Sequence, residues 1–388
     1  MRHFVSAKRN GMTMKISDYL MLVLPFLALS CHKVEDSRVT SPEPVGVSRS
    51  EVAMILSRLD IRTAQMQEVH DAVSSSSGNG YDEEYMMTDL FNSPGSGVGD
   101  GPATKTARSG RYSTPLKDLI TDYLAGSMST KAGAADVQAY IRTLEESGLQ
   151  IYWPYSEDWD GQELPIITYD PGYGAESNYG YVISEGNVVD SVLVDENLAR
   201  SRPVWVINSN DDCGFTPMEL FATESGTKAP AGTKKLYLED FTMLRNYDSW
   251  FGGASEFFVK CGAVDGFKAS KDEDLKLYYP SVTDFMVVVR RKQLGKPVPL
   301  GIFMLSDVTD QMDKVAFLVV EDDGGTATSW KCSATVKYNS KNYGFDIEIP
   351  YKEKDDIVWR GQLPVSYFND GEKVKGRFGD VEITFALE

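Results

Sequence analysis

The feature that most constrains this chain is a change of hydrophobic period at Leu149. Before it, apolar residues recur every three or four positions, the spacing of an amphipathic helix. After it they come in short β-branched and aromatic runs, which is strand spacing. "LQIYWPY", "LPIITYD", "YGYVIS", "VVDSVLV" and "PVWVINS" follow one another up to Ser209. Beyond a small, polar stretch, "ATESGTKAPAGT", come "KKLYLEDFTML", "ASEFFVKCG", "DFMVVVRR", "PLGIFML", "KVAFLVVE", "WKCSATVKY", "YGFDIEIP", "DIVWRGQL" and "VEITFALE". Short strands separated by turn residues predict an antiparallel sandwich. The class is α+β in two domains: helices and a small sheet over 48–222, a linker at 223–232, and a C-terminal antiparallel β-sandwich over 233–388.

Three helices are predicted ahead of the switch. The first starts at Ser48, whose hydroxyl and Glu51 form a capping box. It runs on through Val52, Ile55, Leu56, Leu59, Met66, Val69 and Val73 as one continuous amphipathic element. The second starts at Thr114 and Pro115, follows Leu116, Leu119, Ile120, Tyr123 and Leu124, and stops at Gly126. The third spans Ala134 to Ser147 with Gly148 as its stop. Low-complexity loops near 74–80 and 93–110 flank "YDEEYMMTDLF".

At the N-terminus, "YLMLVLPFLALSC" holds an apolar run too short for a membrane-spanning helix, which needs about twenty such residues. With Lys15 before it and Ser30 at its end it has the layout of a signal peptide over residues 1–30, with Met14 as the better start. "LALSC" resembles the lipobox of bacterial lipoproteins, with the looser boundary found in Bacteroidetes-type bacteria. That resemblance implies a palmitate-type acyl anchor on Cys31, a flexible tether at 31–47, secretion across the inner membrane and an outer-membrane location. It leaves periplasmic and cell-surface orientation open.

The formal net charge is −18. The leader carries Arg2, Lys8, Arg9 and Lys15 against Asp18, so the mature chain is more acidic still. Such a surface repels phosphate polyanions and argues against nucleic acid as a partner. Cys213, Cys261 and Cys332 contain no C-x-x-C pair, so a zinc site is unsupported; one disulfide or three buried thiols both remain open. Beyond the leader the histidines are His32 and His70, which excludes ordinary Ser-His-Asp and H-E-x-x-H chemistry. No P-loop and no strand-to-helix G-x-G-x-x-G exists, so nucleotide is not expected. "SGTK" has S-x-x-K spacing without its companion motifs.

"KKLYLEDFTMLRNYDSWFGGASEFFVKCG", "VAFLVVEDDGG" and "YKEKDDIVWRGQLPV" together resemble the calcium- and phospholipid-binding β-sandwich of the synaptotagmin type, the C-two domain. The resemblance covers roughly 233–388. "SEFFV" stands where that family has "SDPYV", and Glu256 and Glu321 stand where it has aspartates. A long insertion, "TSWKCSATVKYNSKNYGFDIEIPYKEK", is expected to be a hairpin. The resemblance implies calcium as cofactor, held by carboxylates from Asp248, Glu256, Glu321, Asp322, Asp323, Asp355 and Asp356. Loops at one end of a sandwich can supply the six to eight oxygens that calcium takes.

A second candidate site is "IYWPYSEDWDG". Trp153, Tyr155 and Trp159 interleave with Glu157, Asp158 and Asp160, the aromatic-and-carboxylate composition of a glycan-binding or glycan-cleaving site. Strand alternation equally buries Trp153 and Tyr155 in a core. The expectation is therefore a lipid-anchored envelope protein, non-enzymatic on balance, that binds calcium and an envelope protein. The alternative is a surface lipoprotein acting on glycan.

Overall fold

The computed structural model describes residues 46–78, 83–92, 114–128, 134–210, 234–368 and 371–388. The leader, Cys31, His32, the tether as far as residue 45, the loop at 93–110, Cys213 and the linker at 223–232 lie outside the described residues, while Val47, expected at the tether's end, is buried in the core under the helices.

Helix α1 covers Arg49–Leu56 and α2 Thr63–Gly78. The sequence pattern reads as one helix here, and the structure divides it. The amide of Arg62 donates to Gln65 Oε1 at 2.9 Å, so Gln65 reaches back three residues and starts a new helix. Ser48 does cap α1, accepting from the Glu51 amide at 3.2 Å, while the Glu51 carboxylate accepts from Tyr140 Oη at 2.7 Å. The serine run expected as loop is helical as far as Gly78, with Ser75 Oγ returning to the Ala72 carbonyl at 2.8 Å.

Next come β1 (Glu84–Met86), α3 (Met87–Asn92), α4 (Leu116–Met128), α5 (Ala134–Glu145), β2 (Leu149–Tyr152), β3 (Ile166–Tyr169), β4 (Ser177–Ser184), β5 (Asn187–Asp195), α6 (Glu196–Ala199) and β6 (Val204–Ser209). The strands form one sheet in the order β1-β2-β6-β3-β4-β5, antiparallel except for β3 against β6. Both faces are covered over β2 and β6, which is why those strands read as continuous apolar runs, while β4 and β5 are more exposed. Ile151, Trp153, Trp205 and Ile207 pack under the helices with Leu56, Met66, Val69 and Ile120. Tyr152, Val204 and Val206 face the other way and bury Trp250 and Phe251.

Ten strands follow: β7 (Lys234–Met243), β8 (Ser255–Ala263), β9 (Ser281–Val289), β10 (Val298–Val308), β11 (Met312–Glu321), β12 (Ala327–Tyr338), β13 (Lys341–Lys352), β14 (Asp356–Pro364), β15 (Lys373–Phe378) and β16 (Val381–Leu387). One sheet runs β10-β7-β16-β15. The other runs β13-β12-β11-β8-β9, with β14 also paired to β11. All these pairs are antiparallel. The two sheets pack face to face: the Phe241 and Phe257 rings are 4.9 Å apart and those of Phe317 and Phe385 5.4 Å. Nine runs mark these strands in the sequence; β15 is the addition.

The insertion is the β12–β13 hairpin, turning at Asn339 and Ser340 with φ of 49° and 60°. Positive φ at both turn residues matches the twist of paired strands. Gly262 of β8 makes room for the hairpin, since a Cβ there would lie 3.1 Å from the Ile347 and Ile349 Cδ1 atoms. Cys261 is buried and Cys332 half-buried, both as free thiols. Among the described residues no helix is long and apolar enough to cross a membrane.

Register fixes which loops meet. Met243 pairs with Val381, Ser255 with Val289, and Glu321 with both Phe257 and Asp356. Loops 244–254, 290–297, 322–326 and 353–355 therefore emerge at the same end. The N-terminal helices and sheet touch that end: Lys292 Nζ lies 2.9 Å from Asp158 and Arg290 Nη1 3.4 Å from Glu83.

Candidate metal centre

Glu321 is the last residue of β11. Alternation places it on the face of Phe317 and Val319, toward the opposite sheet. It is fully buried, and no donor from outside the carboxyl cluster reaches either of its oxygens; its polar neighbour is the Asp248 carboxyl, with which it can share a proton. The loop after β7 brings Asp248 beside it, and the turn after β11 brings Asp323. One oxygen from each of Asp248, Glu321 and Asp323 lies within 4.8 Å of the others. Asp248 Oδ2 and Asn246 Oδ1, on the same loop, are likewise buried without a donor.

The electrostatics follow from this crowding. Burial first, and then the charge of Asp248, push the Glu321 carboxyl far above the usual carboxylate range. Burial also raises Asp248. Asp323, on the solvent side, is pushed up to about 7 by partial desolvation and by the charges of Asp248, Asp356, Asp355 and Asp322. Three carboxyls that resist ionising together are a set that a divalent cation would neutralise at close quarters.

The other predicted ligands go elsewhere. Asp322 points to the opposite face of β11's end, where Lys352 Nζ holds its two oxygens at 2.7 and 2.8 Å. Asp355 accepts from the Lys352 amide at 2.7 Å and is raised to about 6, by burial and then by the charge of Asp322. Asp356 is exposed, 3.9 Å from Arg245 Nη2. Glu256 is buried on the face of β8 turned away from Phe257, and its carbonyl accepts from the Asp322 amide at 2.9 Å. Of the seven, the structure gathers three.

The aromatic segment is placed differently from a sugar platform. Trp153 is 1% exposed and packs edge-on to Trp159 at 5.6 Å, Trp205 at 6.0 Å and His70 at 5.7 Å. Tyr155 Oη donates to Glu196 Oε1 at 2.6 Å. Glu157 and Asp158 lie 3.2 and 2.9 Å from Lys292 Nζ. Asp160 Oδ1 accepts the amides of Gln162 and Glu163, and Trp159 Nε1 donates to the Glu163 carbonyl. A cleft of about 160 Å³ beside Trp159 is lined by Asp158, Asp160, Glu163, Arg200 and Arg202. Small-molecule pockets start at roughly 300 Å³.

Sequence reasoning passes over Arg291. Its guanidinium joins Glu196 to the Asp248 carbonyl, which it reaches at 3.1 Å. The "RR" pair ending the β9 run is visible in the sequence, but partners 95 and 43 residues away are not.

No family model matches this sequence, and no curated protein matches it.

Proposed function

We propose that this protein is a lipid-anchored, non-enzymatic binding protein of the cell envelope that holds calcium at Asp248, Glu321 and Asp323. The face-to-face sheets and the acidic loops gathered at one end support a C-two-like sandwich over 234–388. The observation that carries the calcium reading is Glu321: a wholly buried carboxyl with no donor from outside the cluster, facing two more carboxyls. An unpaired buried charge is costly, and a carboxylate so placed either keeps a proton or takes a cation. The donor set is oxygen only, with no histidine or thiol, which suits a hard cation such as calcium over zinc or copper. The aromatic segment commits Glu157 and Asp158 to Lys292, so the acidic end is the better-supported ligand site.

Calcium titration calorimetry on the protein, with thermal melts in calcium and in chelator, tests this. Saturable heat with a rise in melting temperature is expected, lost together in Asp323→Asn. An absent heat and an unchanged melt remove the calcium assignment. Acylation at Cys31 is tested separately by incorporation of a labelled palmitate analogue, which Cys31→Ser abolishes.

A further inference from the structure

The acidic cluster and the contact between the two parts of the chain share one loop. Asp248 reaches the cluster from the loop 244–254. Trp250 and Phe251, just beyond it, are fully buried among Tyr152, Ile166, Val204 and Val206 of the N-terminal sheet. Their rings lie 4.0 Å apart, and the Trp250 indole donates to the Glu176 carbonyl at 2.9 Å. Asn208 of β6 donates to the carbonyls of Phe251 at 3.1 Å and Gly252 at 2.8 Å. The turn closes on itself, the Gly252 amide bonding the Ser249 carbonyl at 3.0 Å. Arg291 fastens the Asp248 carbonyl from the other side while bonding Glu196. The backbone that presents the Asp248 carboxyl is thus continuous with the turn that buries Trp250 and Phe251, held by Arg291 at one end and by Asn208 at the other.

A loop in this position is not free to enter a lipid surface. Its two largest apolar side chains are already buried against β2, β3 and β6.

We propose that the cation held by Asp248, Glu321 and Asp323 is an internal clamp, whose partner is this chain's own N-terminal sheet rather than a membrane. Calcium seats the loop 244–254, and the loop seats Trp250 and Phe251. The clamp rests on the calcium reading above. Coupling between two sites is reciprocal, so loosening the aromatic plug weakens calcium by the same factor that calcium strengthens the plug.

Calorimetry with calcium chloride on the protein and on its Asn208→Ala and Trp250→Ala variants tests the clamp. It is run beside hydrogen exchange of residues 173–177 and 204–209 and co-sedimentation with phosphatidylserine-containing phosphatidylcholine vesicles. Expected are calcium binding about 10-fold weaker in the variants, slower exchange of the two N-terminal stretches when calcium is added, and no calcium-dependent sedimentation. Those stretches contain none of the three carboxylates, so a purely local ligand leaves their exchange unmoved. Unchanged affinity in the variants, unchanged exchange, or calcium-driven vesicle binding overturns the clamp while the calcium site stands. If Trp250→Ala does not fold, Asn208→Ala decides, since it keeps the plug and removes only two hydrogen bonds. No heat from the unaltered protein removes the calcium reading, and the clamp with it.

Discussion

Arg291 donates to both oxygens of Glu196, Nε to Oε1 at 3.0 Å and Nη2 to Oε2 at 3.2 Å, across the contact between the N-terminal sheet and the sandwich-like sheets. Fork-to-fork pairs of this kind are among the stronger polar contacts in proteins. Burial alone would raise Glu196, but hydrogen bonds from Arg291 and Tyr155 outweigh it and hold the carboxyl at about 2. A carboxylate with a depressed folded value stabilises the fold fully above its ordinary range, and the stability fades as pH falls from about 4.5 toward 2. Arg291→Met is expected to lose about 2 kcal/mol near neutral pH. Urea midpoints should show the gap between variant and parent narrowing below pH 4.5. A gap that stays constant down to pH 2.5 would show that Glu196 is not what Arg291 stabilises.

Glu321 has the opposite sign. Its carboxyl is raised by burial and by Asp248, so the folded protein retains a proton that the unfolded chain releases, and stability falls as pH climbs past the ordinary carboxylate range. Glu321→Gln keeps the shape and cannot ionise in either the folded or the unfolded state. In chelator at pH 8 it is expected to unfold at a higher temperature than the parent, by an equivalent of about 1–2 kcal/mol. At pH 4 the two should melt together. Added calcium should raise the parent's melting temperature and leave the variant's where it was.

Trp153 separates a core residue from a sugar platform. At 1% exposure, edge-on to two other indoles, it is expected to cost about 3–5 kcal/mol when truncated to alanine. Half-buried Trp159 is expected to cost less. Chemical denaturation of both variants, with oligosaccharide titration of the parent, checks this. Saturable sugar binding that Trp159→Ala abolishes without loss of stability would revive the glycan reading of this segment.

The strand content was legible because burial on one or both sheet faces writes itself as period two or as continuous apolar runs. The clearest case is β6, where Trp205 and Ile207 serve one core and Val204 and Val206 another. β15 was not legible: "KVKGRF" has three basic residues in six and a glycine at its centre, because its strand lies at a sheet edge with one face in solvent. The α1–α2 break hides behind an unbroken helical pattern, since only Gln65 turning back to Arg62 marks it. At the acidic end the sequence supplies the carboxylates but not their facing. Adjacent Glu321, Asp322 and Asp323 divide between two sides of a strand end, and lysine 352 takes the middle one, thirty positions away.

Lys352 yields the last test. Its ammonium holds both oxygens of Asp322, whose side chain is 5% exposed, and Asp355 stands close enough for Asp322 to help raise it to about 6. Lys352→Met would leave these two carboxyls facing each other with the counter-charge gone. Breaking a buried pair costs about 3–5 kcal/mol, and because the lysine itself is about one-third exposed the smaller figure of about 1–3 kcal/mol is expected here. The sign with pH is fixed by Asp355: its folded value lies above its ordinary one, so stability falls as pH climbs from the ordinary aspartate range through about 6, and removing the lysine extends that fall to higher pH. The loss in Lys352→Met should therefore be larger at pH 8 than at pH 5. Adding Asp355→Asn should recover most of the difference at pH 8 and little at pH 5. Equal losses at both values would place the role of Lys352 in packing its stem against the β13 strand end, with its charge immaterial.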